Sequence, residues 1–224
     1  MERQLVELEG NARFWLEKPA DNEGLDTLRR WWRALVEGEL DLADGFSTES
    51  ETFLALKQPR QRRAPLSARQ VEVLERIILG ERAKVLALDY DVSASTVAAL
   101  IKRALQQLGW NERAVALPVG LLILSEAARG VLPPRLRLYS GSLPDGSPCH
   151  VLAAPLAPLA GVLSNAVREV VRLHVEGKSY SEIAARRATS TRTVANQVST
   201  AFRILRVSGR GELRHYLAVG TPSP

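Results

Sequence analysis

The sequence predicts a mainly α protein built from two tandem three-helix units, with small β-hairpins in an N-terminal head and in the spacer. Three observations carry this: a gap-free internal repeat, apolar residues at helical spacing inside each copy, and short alternating segments outside them. Sliding the chain by 97 residues sets Leu66-Ser67 on Leu163-Ser164, Glu72-Val73 on Glu169-Val170 and Gly80 on Gly177. Further along, Ala87 meets Ala184, Ser93 meets Ser190, Thr96-Val97-Ala98 meets Thr193-Val194-Ala195, and Leu108 meets Leu205. Two copies make a duplication and not a solenoid. The expected divisions are an acidic head at 1–60, a first unit at 61–130, a hairpin spacer at 131–162 and a second unit at 163–219.

In the head, Leu5, Leu8, Ala12, Trp15 and Leu16 share one helical face, and Leu25, Leu28, Trp32 and Leu35 share another. Two helices are expected there. Leu40 to Leu56, with Gly45 in a polar middle, reads as a hairpin. Trp15, Trp31 and Trp32 at helical spacing read as core before they read as a ligand cage. In the first unit, Ser67-Ala-Arg-Gln70 is a capping box, in which Ser and Gln side chains each satisfy a free backbone N–H. Val73, Leu74, Ile77 and Ile78 supply its core, Gly80 ends the first helix, and Val97, Ile101, Leu105 and Leu108 form the third helix's apolar stripe. Its second helix lacks a box, because Arg82 and Val85 stand at those positions.

Residues 112–130 read as a long apolar helix closing the first unit. In the spacer, Arg135 to Tyr139 alternates, Gly141 to Gly146 turns, and His150 to Ala154 returns, so the two hairpins could pair into one sheet. In the second unit Ser164 can cap a helix burying Val167, Val170, Val171 and His174, and Gly177 ends it. Ser179-Tyr-Ser-Glu182 is a capping box for a helix that turns Ile183 and Ala184 inward. Ser190 caps a third helix with Val194, Val198, Phe202 and Leu205 on its buried side.

Charge is unevenly spread. Residues 1–56 carry a net −7, residues 57–110 a net +5, and residues 163–224 a net +6. Two basic modules behind an acidic head suit a polyanion partner or a merely solvated basic surface. The longest apolar run, Val119 to Leu124, is too short to span a bilayer, and the N-terminus lacks a secretory pattern. A single cysteine, Cys149, excludes an internal disulfide. A cytoplasmic location is expected. His150, His174 and His215 are dispersed, so no metal, cofactor or catalytic site is expected. Cys149 beside His150 on a strand would point to the opposite face.

The run Leu163-Ser, Arg168-Glu-Val-Val-Arg-Leu173, Glu176-Gly-Lys-Ser-Tyr-Ser-Glu-Ile-Ala184 and Ser190-Thr-Arg-Thr-Val-Ala-Asn-Gln-Val198 resembles the LuxR-type helix-turn-helix. Gly211-Glu212-Leu213 resembles the start of that family's fourth helix. The first unit resembles a diverged member and also the C-terminal domain of sigma factors. The head, around Leu28 to Gly38 and Phe53 to Leu56, is similar to double-LuxR regulators of myxobacterial type. Departures accompany the likeness. Ala195 and Ala98 stand where the family usually has Lys, and Ile204-Leu205-Arg206 stands where many members have Lys-Leu-Gly. With no receiver or autoinducer-binding domain expected in so short a head, control by phosphorylation or an acyl-homoserine lactone does not carry over.

The resemblance implies a bacterial regulator that binds double-stranded DNA through the second unit, its third helix in the major groove. On the face opposite the buried stripe stand Thr191, Arg192, Thr193, Ala195, Asn196, Ser199 and Arg203, with Lys178 and Ser181 at the preceding helix placed for phosphates. Asn can pair with adenine, and Arg with guanine or phosphate. In the first unit Ser95, Lys102 and Arg103 are expected to be auxiliary DNA contacts, since Ala98 and Ala99 occupy the reading positions. The linker Lys57 to Arg63 could add phosphate contacts. RNA polymerase is a further partner the resemblance admits. An interaction protein that has lost DNA binding is the competing reading. Leu213, Tyr216 and Leu217 form a stripe that suits either a homodimer or an intramolecular pseudo-dimer against the first unit.

Overall fold

The computed structural model of the chain describes residues 14–16, 22–48, 50–110, 119–131, 135–142 and 146–220. Strand β1 (Phe14–Leu16) is followed by helix α1 (Asn22–Val36) and the hairpin of β2 (Asp41–Ser47) and β3 (Glu51–Lys57). Helices α2 (Ala68–Ile78), α3 (Ala83–Asp89) and α4 (Ala94–Gln107) make the first unit, and α5 (Val119–Ala128) follows. A second hairpin, β4 (Arg137–Ser142) and β5 (Pro148–Pro155), leads to α6 (Asn165–Val175), α7 (Tyr180–Arg186), α8 (Thr191–Leu205) and α9 (Arg210–Val219).

The architecture is mixed and not mainly α, because the two hairpins join into one antiparallel sheet of order β1-β4-β5-β3-β2. β3 and β5 pair from Glu51–Pro155 to Lys57–Cys149, so segments on either side of the first unit lie side by side. Alternation along β5 decides what each face holds. Leu152 and Ala154 face the main core, whereas Cys149, Val151 and Ala153 cluster with Ala55 and Tyr139 on the other side. His150 stacks on Trp31 with ring centroids 4.9 Å apart, away from the Cys149 side. Burial raises the Cys149 thiol to about 11.

One expectation for the head fails. Trp15 and Leu16 lie in β1, paired with Tyr139 and Leu138 of β4, and not on a helix. Their apolar character serves strand pairing as readily as a helical face, and three residues are too few for periodicity to discriminate. The rest of the expected first helix, with Leu5, Leu8 and Ala12, lies outside the described residues, as does the 112–118 part of the long helix. The remainder of that helix, α5, packs on α1, α2, α9 and three strands. Its residues from Val119 to Ala127 are all buried, so it is the centre of the whole fold rather than a lid on one unit. Trp31 and Trp32 are core residues beside it.

Candidate nucleic-acid interface

Each unit is built by local signals that the sequence carries in register. In the first, the Ser67 box is closed, with Ser67 Oγ accepting from the Gln70 backbone and Gln70 Oε1 accepting from the Ser67 N–H at 2.9 Å. Ser93 Oγ accepts from the Thr96 N–H at 3.1 Å and starts α4. In the second, the Ser179–Glu182 box is closed, and Ser190 Oγ accepts from the Thr193 N–H at 3.0 Å. Hydrogen bonds from Ser179 hold the Glu182 carboxyl below its usual range. Ser164 occupies an N-cap without a side-chain cap bond, and Arg82 opens α3 likewise. Gly80 and Gly177 take the left-handed conformation that ends α2 and α6.

The buried stripes follow their expected periods. Val194, Val198 and Leu205 are buried in α8, and Val97, Ile101 and Leu105 in α4. Ala201 is also buried, and Phe202 is only half-buried, so the α8 stripe rotates slightly toward Ala201. Opposite that stripe, Thr191, Arg192, Thr193, Asn196, Ser199 and Arg203 are exposed, and Ala195 is half-exposed. Lys178 and Ser181 are exposed at the approach to α7. Thr193 and Ser181 share hydrogen bonds with the capping Ser190 and Ser179, so their hydroxyls are partly engaged. The guanidinium of Arg187 is taken by Glu169 at 3.0 Å and Gln197 at 2.6 Å, which ties α6, α7 and α8 together.

The first unit presents a different outer face. Ser95, Ala98, Ala99, Lys102 and Arg103 are all exposed on α4. Beside them, α3 and the turn after it expose Val85, Val92 and above all Leu88, at 81%. Arg76 binds both Glu81 and Asp89, and Arg69 lies over the Tyr90 ring at 3.2 Å. Two linker cations, Arg62 and Arg63, are engaged by the chain itself. Arg63 donates to the carbonyl of Gln106 at 2.9 Å and to that of Gln107, capping the C-terminus of α4, and pairs with Asp41. Arg62 pairs with Glu39 at 2.9 Å. Sequence reasoning missed this use, although a basic residue facing free carbonyls at a helix end is the relevant signal.

The stripe on α9 is covered by the chain itself. Leu213 is 0% exposed and Leu217 is buried, both in the main core with α5. At the start of α9 the backbone crosses that of the first unit. A Cβ on Gly80 would stand 2.9 Å from the Gly211 carbonyl carbon, and one on Gly211 would fall on Gly80 Cα. Two glycines are what allow this approach. Nearby, His174 is buried among Tyr180, Phe202 and the guanidinium of Arg210, 3.3 Å from its Nδ1. Burial, with Arg210 and Arg214 beside it, lowers His174 to about 4.

In α2, α3 and α4, three short helices with the third exposed define the class: a helix-turn-helix, a DNA-binding type of module. Residues 64–119 match the GerE family model, bacterial regulatory proteins of the luxR family, so this chain carries a luxR-family helix-turn-helix segment in its first unit. No curated protein and no solved structure matches the chain. The family match falls on the unit whose likeness reads as diverged in the sequence, not on the second. Leu108-Gly109 closes α4 with Gly109 left-handed, where the second unit has Arg206 in the same conformation at φ +56°. No described helix is long and apolar enough to cross a membrane.

Proposed function

We propose that the chain is a sequence-specific DNA-binding transcription regulator whose second unit, residues 163–219, reads the major groove with α8. The observation that carries this reading is the contrast at matching positions of the repeat. Where the first unit has Glu81 and Asp89 tied to Arg76, the second has Lys178 and Arg186, both exposed. An anionic backbone favours the basic version, and Arg192, Asn196 and Arg203 add side chains suited to base edges and phosphates. Lys102 and Arg103 of the first unit act as auxiliary phosphate contacts beside Ser95. Burial of Leu213 and Leu217 supports a pseudo-dimer within one chain over a homodimer through α9.

A second reading has one specific support. The exposed Leu88, Val85 and Val92 give the first unit an apolar outer face, which suits contact with another protein such as RNA polymerase. Mobility shifts on an operator selected from random duplexes distinguish the roles. Arg192→Ala and Asn196→Ala should each cost about 1–3 kcal/mol of specific binding with unchanged folding. Lys102→Ala should weaken all sequences alike and lower the salt slope by about 1. Loss of specificity in Lys102→Ala or Arg103→Ala, with Asn196→Ala unaffected, would move the reading head to the first unit. Light scattering should give 24.6 kDa without DNA; a doubled mass would restore the homodimer.

A further inference from the structure

Between the β2–β3 turn and α6 lies a cleft of about 710 Å³, within the size range of small-molecule sites. Its apolar wall comes from Leu156, Leu159, Val171, Val175 and Leu217. Ser47, Thr48 and Ser50 stand on the sheet side, and Arg168 and Arg172, one turn apart on α6, on the other. Among the described residues, neither guanidinium has a carboxylate within hydrogen-bond distance. Among the same residues Arg168 reaches the neutral Asn165 Oδ1, at 2.6 Å, and Arg172 is in a loose ion pair with Glu176 at 3.9 Å. The Nε atoms of both are buried without an acceptor. Of the two carboxylates among the described residues of the cleft, Glu169 is held by Arg187 and Glu176 is paired with Arg172.

A buried guanidinium N–H without an acceptor is costly, and a carboxylate is the group whose paired oxygens match it. An apolar wall beside such donors selects a ligand with an apolar body. We propose that this cleft is a binding site for an amphiphilic organic carboxylate, its head on Arg168 and Arg172 and its tail against Leu156, Leu159 and Leu217. The site bridges the head sheet and the first helix of the second unit, and the proposal does not depend on which unit reads DNA.

The test uses the intact chain and three probes by titration calorimetry: decanoate, decanol and inorganic phosphate. Decanoate should bind at one site per chain, with a dissociation constant below about 1 mM, more tightly than the other two by at least roughly tenfold. Arg168→Gln/Arg172→Gln keeps the side-chain bulk and should abolish decanoate binding while leaving the circular dichroism and urea midpoint intact. Ser50→Tyr at the exposed rim should narrow the entrance and weaken decanoate without touching the arginines. No saturable decanoate binding, or equal binding of decanol, or wild-type affinity in the double variant, would each overturn the proposal. Phosphate binding as tightly as decanoate would do so too, since the apolar wall would then contribute nothing.

Discussion

The two three-helix units share a skeleton at a constant offset, yet they are stabilised by different means. The second has a small core of its own, in which Val170, Leu173, Ile183, Val194 and Val198 pack together. The first has none that is separate: Val73, Leu74, Leu86, Val97 and Ile101 belong to the same cluster as α1, α5 and the sheet. Where the second unit places the apolar Leu173, the first places Arg76 and holds its first two helices with Glu81 and Asp89. Hydrogen bonds donated to both carboxylates raise the Arg76 pKa further above its ordinary value. A unit with its own core can keep its outer face polar. A unit merged into the body of the protein is free to change that face, and the first one exposes Leu88.

The largest expected effect tests how the second unit is anchored. Leu213→Ala removes a fully buried side chain at the junction of α9 and α5 and should cost about 2–5 kcal/mol, read as a lower urea midpoint. A cost near zero would mean α9 does not anchor the unit. Gly80→Ala adds a Cβ against Gly211 at a left-handed position and should cost roughly 2–4 kcal/mol. The same change at Gly161, just before the second unit, is also at a left-handed position, with nothing within 4 Å of its Cβ, and should cost only the conformational part, roughly 1–2 kcal/mol. Equal costs would remove the backbone crossing from the explanation.

His174 gives the second unit a pH dependence, and burial lowers the His150 pKa in the sheet in the same direction. His174 titrates near 4 when folded and near 6.5 when unfolded, so between those values the unfolded chain binds more protons. Stability from its burial is complete above about pH 6.5 and falls as the pH drops toward 4. The loss at pH 5 is about 2 kcal/mol. His174→Phe should flatten that part of the stability profile, measured by urea unfolding at pH 7 and pH 5. A profile identical to wild type would locate the acid sensitivity elsewhere.

The smallest effects concern caps. Ser179→Ala should destabilise by about 1 kcal/mol, and Arg82→Ser, which offers the first unit a cap it lacks, should stabilise by a few tenths to 1 kcal/mol. Arg206→Gly relieves a left-handed residue at the end of α8 and should gain roughly 1 kcal/mol. If Arg206→Gly destabilises instead, the side chain holds a contact that outweighs its backbone conformation.

What was legible in the sequence is what depends on near neighbours. Capping boxes, apolar stripes and helix-ending glycines are read within four residues, and Ser67, Ser179, Ser190, Gly80 and Gly177 stand where those rules put them. Pairing over long separations left only weak traces. Alternation around His150 marks a strand that can pair with the head hairpin, but nothing local distinguishes Trp15 and Leu16 in β1 from one face of a helix. The family match lies in the first unit, at residues 64–119. The Ser179 box and the Tyr180 to Ala184 run made the second unit look nearer to the family. For the candidate interface, exposure of Arg192 and Asn196 followed from the buried stripe, whereas engagement of Arg62 and Arg63 depended on acidic residues more than 20 positions away.

The pairing of β3 with β5 also bears on how the chain is made. Lys57 must wait for Cys149, so one edge of the head hairpin leaves the ribosome without its partner. At elongation rates of about 5–20 residues per second, that wait lasts roughly 5–20 s. An unpaired strand edge carrying Phe53, Leu54 and Leu56 is then open to other chains. The whole first unit emerges in that interval, and its helices can form before the sheet closes around its two ends. Slow synthesis between residues 110 and 148 should therefore lower the soluble yield, while the folded protein itself is unchanged.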